Sequence, residues 1–198
     1  MVPKESTSMQ AGSLWQIKFL FERFGQQVLL YGATGAIGSA ALQIIKAIGA
    51  EVTAVCNTAN IDLIRSLGAD EVIDYTKQDF TKIEKKFHVV FDALGKSSFR
   101  RCKPLLSEGG IYLSTDLGLW AQNPFRAIFT SLFGGKKVLF PIPTIDKEMI
   151  HYLRDLAVSG RFKPVIDRQY SFEEIPEAFR YVHTEQKNGN VVITLNRK

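Results

Sequence analysis

Past Gly25 the chain alternates between two hydrophobic periods. Short, continuously apolar runs predict strands buried on both faces, and stretches with apolar residues three and four apart predict helices. QVLLYG predicts a first strand, and residues 36–49 (AIGSAALQIIKAIG) a helix closed by Gly49. EVTAVC (51–56) predicts a second strand and NIDLIRSLG a helix closed by Gly68. EVIDY (71–75) is a short third strand, FTKIEKK a polar helical turn or two, and HVVFDALG (88–95) a fourth strand. SFRRCKPLL reads as a helix with Pro104 near its end, and GGIYLSTDLG (109–118) as a fifth strand. NPFRAIFTSLFGG predicts an apolar helix closed by Gly134 and Gly135. KKVLFPIPT (136–144) predicts a sixth strand and DKEMIHYLRDLAVSG (146–160) a further helix.

Apolar strands alternating with helices predict an α/β, doubly wound, parallel six-stranded Rossmann sheet with helices on both faces. The flanks read differently. Residues 1–13 are small and polar, and Leu14, Ile17, Phe21 and Phe24 then fall at helical spacing between a capping Ser13 and Gly25. At the other end FKPVIDRQYSF is extended, EEIPEAFRYVHTEQ is helical with Pro176 in its first turn, and NVVITL is a strand. The expected division is an arm and helix at 1–24, a dinucleotide-binding domain at 25–164 and a C-terminal extension at 165–198.

Composition narrows the function classes. With 198 residues, 45% apolar and 23% charged, the chain is an ordinary globular one. A net charge of +5 argues only weak attraction for anions. The pairs Lys85-Lys86, Arg100-Arg101 and Lys136-Lys137 are scattered rather than one basic stripe, so no nucleic-acid partner is expected. Lys18, Glu22 and Arg23 interrupt the aromatic helix, which makes a membrane anchor the weaker reading. Cys56 and Cys102 stand far apart, and His88, His151 and His183 are isolated, so no metal is expected. Two free thiols and no secretion signal suggest the cytoplasm.

The chemistry concentrates in Tyr31-Gly32-Ala33-Thr34-Gly35-Ala36-Ile37-Gly38, between a predicted strand and a predicted helix. That setting is what a dinucleotide fingerprint requires. Gly35 lets backbone approach a pyrophosphate, Gly38 lets the helix pack close to the first strand, and free N–H groups at the helix start face the phosphates. Ala33 stands where the first glycine of the motif would be. The second strand ends Val55-Cys56-Asn57-Thr58, with no acid before Asp62 to hold a ribose 2′-hydroxyl. Asn57 and Thr58 can both donate to a 2′-phosphate, and the Tyr75 hydroxyl could close the same pocket. NADP is therefore expected over NAD. Arg65 and Lys77 are further basic candidates.

Other uses of a glycine turn fit less well. No tyrosine has a lysine four residues on, so short-chain dehydrogenase chemistry lacks its pair, although an atypical relative stays open. A methyltransferase would want an acid where Asn57 stands, and no GxSxG elbow for a hydrolase is present.

VLLYGATGAIGSAALQIIKAIGAEVTAVC, SLGADEVIDY, HVVFDALGKSSF and GGIYLS together resemble the cofactor domain of zinc-independent medium-chain dehydrogenase/reductases, in the quinone oxidoreductase-like branch. The resemblance runs over residues 25–195, and alanine at the position of Ala33 is common in that branch. It implies hydride transfer from NADPH to a quinone or an α,β-unsaturated carbonyl. It places the nicotinamide near Leu94, Gly95, Ser114, Phe140 and Ile142, with the phosphates on Thr34 to Gly38. It names no catalytic acid, because family substrates bind between this domain and a preceding catalytic domain. An excised domain, a shortened protein or a non-catalytic NADPH sensor are the accompanying expectations, with weak or no turnover. In the family the sixth strand often pairs with its own copy, so a homodimer through residues 136–140 is expected.

Overall fold

The computed structural model describes residues 27–115, 135–139 and 147–195. The expected helices at 14–24 and in NPFRAIFTSLFGG lie outside the described residues, as does the sixth strand past Leu139. Six strands form one sheet: β1 (Gln27–Tyr31), β2 (Glu51–Cys56), β3 (Glu71–Asp74), β4 (Phe87–Asp92), β5 (Leu106–Ser114) and β6 (Lys137–Leu139). Their order is β3-β2-β1-β4-β5-β6, with every neighbour parallel. The winding reverses between β1 and β4, which opens a crevice at the carboxyl ends of those strands. Helix α1 (Ala36–Ala47) joins β1 to β2, α2 (Ile61–Ser66) joins β2 to β3, α3 (Phe99–Cys102) lies between β4 and β5, and α4 (Lys147–Val158) follows β6.

Successive strand residues point to opposite faces, and both faces here are covered. Val28 and Leu30 pack with Leu42 and Ile45 of α1 and with Leu153 and Leu156 of α4. Leu29 and Val90 point the other way, onto Phe87, Leu105, Tyr112 and Val138. Burial on both faces is why these strands read as unbroken apolar runs.

Two local expectations are corrected. FTKIEKK forms only a 3-10 turn at Phe80–Lys82, and Ile83 is already extended. Phe80 alone of that turn is buried, which is too little apolar surface to hold a helix. SFRRCKPLL is helical only over Phe99–Cys102, and Pro104 then belongs to a 3-10 turn at Lys103–Leu105.

The C-terminal residues form a second, smaller unit. Strand β7 (Ile166–Ser171), helix α5 (Ile175–His183) and strand β8 (Asn190–Thr194) make a parallel pair joined by a helix. A capping box starts the helical connection: the Glu174 carboxylate accepts from the Ser171 backbone N–H at 2.8 Å. Three contacts tie the unit to the main sheet. The Gly189 N–H donates to the Thr34 carbonyl at 2.7 Å. The Gln43 amide donates to the Lys163 carbonyl at 3.0 Å and accepts from its N–H at 2.7 Å. Lys96 pairs with Glu185.

Candidate dinucleotide site

The glycine turn leaves β1 at Tyr31. The residue that turns the chain is Gly32, with φ of +83°, and Ala33 is fully buried in the core. The tight turn therefore sits one residue earlier than the motif comparison placed it. A Cβ on Gly32 would also lie 2.8 Å from Leu94 Cβ. The Gly35 N–H closes the turn on the Gly32 carbonyl at 3.2 Å. A Cβ on Gly38 would stand 2.0 Å from the Gly32 carbonyl oxygen, so this position is glycine because helix α1 packs against the turn. Gly35 is different. Its φ is −71°, and a Cβ there would meet nothing closer than the Gly32 oxygen at 3.6 Å.

Gly35 is the N-cap of α1, and no side chain caps that end. The first turn of α1 holds no acid. Ala36, Ile37 and Gly38 head the helix, where backbone N–H groups have no carbonyl one turn back. An open glycine beneath an uncapped helix start fits a dinucleotide pyrophosphate.

Across the crevice, β4 ends in Asp92, which is completely buried. Its carboxylate accepts from the N–H groups of Leu94 (3.1 Å), Gly95 (2.8 Å) and Ser97 (2.9 Å) and from the Tyr112 hydroxyl (3.0 Å). One carboxylate thus shapes the whole loop after β4. Burial, with the Asp92 charge beside it, pushes the Tyr112 hydroxyl far above the ordinary phenol range. Leu94 is exposed at the crevice, Gly95 has φ of +70°, and Ser114 is buried beside Asp92 in the β4–β5 register. Phe140 and Ile142 lie outside the described residues. Asp92 was missed in the sequence. Its signal was present: an acid closing an otherwise apolar strand, just before Ala-Leu-Gly.

The ribose corner needs a correction. An acid does stand at the end of β2, contributed by the next strand: Cys56 pairs in register with Asp74. Thr58 donates its hydroxyl hydrogen to Asp74 Oδ2, so that hydrogen is not free for a phosphate. Thr76 adds its backbone N–H at 2.9 Å and its hydroxyl at 2.7 Å to Oδ1. These bonds, the one from Thr58 foremost, lower the Asp74 pKa to about 2. Asn57 is bonded to a neighbour in its own loop. Its side-chain oxygen accepts from the Asn60 amide at 2.6 Å, and its NH₂ remains a donor.

Tyr75 is half exposed and lines a polar groove with Tyr31, Lys77 and Arg101, floored where Tyr31 stacks on Phe80 at 4.7 Å. Arg65 belongs to a separate groove with Asp70, Glu71 and Lys85. The thiols take no part: burial raises both Cys56 and Cys102 to about 11, which keeps them protonated. Among the described residues no group of three or more His, Cys, Asp or Glu could hold a metal ion, and no helix is long and apolar enough to cross a membrane.

Residues 67–193 match the family model described as zinc-binding dehydrogenase. The chain belongs to that family. Within it, the quinone oxidoreductase-like medium-chain dehydrogenase/reductases that the sequence phrases resemble are the supported branch. The chain is 33% identical over 173 residues to a 2-methylene-furan-3-one reductase of Solanum lycopersicum, covering 85% of this chain and 40% of the relative. It is 30% identical over 173 residues to a chloroplastic NADPH-dependent alkenal/one oxidoreductase of Arabidopsis thaliana, again covering 85% and 40%. The chain thus spans less than half the length of these relatives. Among solved structures, the quinone oxidoreductase from Coxiella burnetii superposes with a TM-score of 0.78 at 22% identity, over 92% of this chain and 57% of that one. That likeness shows the fold: the six-stranded doubly wound sheet expected from the alternating pattern.

Proposed function

We propose that this zinc-binding dehydrogenase family chain binds NADPH across the crevice between β1 and β4 and supplies the hydride-donor half of an enone- or quinone-reducing oxidoreductase. The observation that carries the reading is Gly35, open to an approaching phosphate at the uncapped start of α1. The names of the relatives, an alkenal/one oxidoreductase and a furanone reductase, support reduction of a carbon–carbon double bond conjugated to a carbonyl. Bound NADPH supplies the hydride.

The residues of the chain bind and orient. The N–H groups of Ala36, Ile37 and Gly38 would receive the pyrophosphate. Asp92 fixes the Leu94–Gly95 backbone on the nicotinamide side. The Asn57 NH₂ is a donor for the phosphorylated ribose, and the Asp74 carboxylate, filled by Thr58 and Thr76, is not the free acceptor that an unphosphorylated 2′-hydroxyl would use. Hydride transfer also needs the acceptor held in near-attack geometry, worth up to about 7–11 kcal/mol of the barrier. The same geometry serves a protein that binds NADPH without turnover, and NADPH oxidation with a quinone and an enone separates the two.

The test of the site is Gly35→Val. With φ at −71°, valine is tolerated by the backbone, so the melting temperature should hold while its branches occupy the phosphate position. Calorimetric titration with NADPH should show binding by the parent chain and none by the variant. Undiminished binding by a folded variant would show that the turn is not the phosphate site.

A further inference from the structure

We infer that Lys77 is the cation that receives the 2′-phosphate of NADPH, taking the place of the basic residue that the loop after β2 does not contain. The inference rests on the nucleotide reading of the glycine turn and deepens it. A phosphate monoester carries about −1.5 to −2 charge at neutral pH and calls for a cationic partner. The loop after β2 offers little: Thr58 has given its hydroxyl hydrogen to Asp74, and Asn57 brings only a neutral amide.

The structure narrows the cations. Arg65 lines the other groove, with Asp70 and Glu71. Lys96 is engaged with Glu185, and Lys82 is not among the residues that line the groove holding Lys77 and Tyr75. Lys77 Nζ lies 3.6 Å from Asp74 Oδ2, the same oxygen that accepts from Thr58. Asp74 Oδ2 therefore contacts both the Lys77 ammonium and the loop after β2, and a 2′-phosphate received by Lys77 must draw the ammonium away from that carboxylate. The Lys77 side chain is 68% exposed, so its four-carbon stem can swing to an arriving anion while the Asp74 backbone carbonyl, which accepts from the Lys77 N–H at 3.1 Å, keeps its base in place. Arg101 lines the groove as well, but its guanidinium lies 4.0 Å from Asp79 rather than at the Thr58 corner. Tyr75 and Tyr31 supply aromatic walls beside Lys77.

The test uses two nucleotides that differ only by the phosphate in question, 2′,5′-ADP and 5′-AMP, titrated into the full chain. The parent chain should bind 2′,5′-ADP roughly tenfold more tightly, as one charge-assisted contact gives. Lys77→Gln should bring the two affinities to within about twofold by weakening 2′,5′-ADP alone, and Lys77→Arg should keep most of the preference. Added salt should shrink the parent's preference and leave that of Lys77→Gln unchanged. An unchanged preference in Lys77→Gln, or its loss in Arg101→Ala instead, would overturn the role of Lys77 and leave the nucleotide site standing. Failure of the parent chain to bind either nucleotide would overturn both.

Discussion

The molecule uses the parallel β-helix-β connection in two regions, with opposite results for burial. In the main sheet Val28, Leu29 and Leu30 of β1 are fully buried, because helices cover both faces. In the C-terminal unit Ile166 is 48% exposed and Phe179 of α5 is 64% exposed. Local capping does not explain the difference, since it is stronger in the small unit: a capping box opens the α5 connection, whereas α1 begins with no side-chain cap at all. What differs is cover. One helix can bury one face of two strands, and the second face then depends on contacts supplied from elsewhere. The small unit is held by its ties to the sheet, and the sheet holds itself.

Truncation should expose that difference most strongly. Leu30→Ala in β1 should cost about 2–5 kcal/mol in chemical denaturation, whereas Ile166→Ala in β7 should cost under about 1 kcal/mol, since little apolar surface leaves water there. Comparable costs would mean that the two units are packed alike.

The next effect should come from the seam. Gly189 has φ of +75°, and a Cβ on it would stand 2.3 Å from the Val165 carbonyl oxygen. Gly189→Ala should therefore break the contact with Thr34 at a cost of about 1–3 kcal/mol, confined to the small unit. Amide exchange should quicken in β7 and β8 and stay unchanged in β1 and β4. Loosening throughout the chain would show that the two regions unfold as one.

A smaller effect separates the ribose corner from the rest of the sheet. The folded-state pKa of Asp74 is depressed from 3.8 to about 2. Its stabilising contribution is therefore complete above the unfolded value and is lost as pH falls through about 2. The melting-temperature advantage of the parent chain over Asp74→Asn should be constant near neutral pH and narrow between pH 4 and 2. An advantage independent of pH would show that Asp74 acts by shape alone.

What the sequence made legible follows the same division between local and long-range. Strand positions could be read because burial on both faces leaves continuous apolar runs such as Val28–Leu30. The glycine turn could be read because its residues are neighbours in the chain. Asp74 could not be placed, since its position beside Thr58 depends on the register of β3 against β2. The role of Asp92 was hidden for a related reason: three of its donors follow in the next loop, but Tyr112 arrives twenty residues later on β5. Gly32, not Ala33, carries the positive φ, because the chain turns directly after Tyr31, the last paired residue of β1.

Gly38 and Gly35 also divide the demands of folding from those of binding. A methyl group at Gly38 collides with backbone at 2.0 Å, but at Gly35 it meets only an ordinary contact at 3.6 Å. In a randomised library screened only for soluble, folded protein, position 38 would stay glycine and position 35 would drift. Screened instead on an immobilised nucleotide, both would stay. The two glycines lie three residues apart on the same turn, yet they record two separate selections.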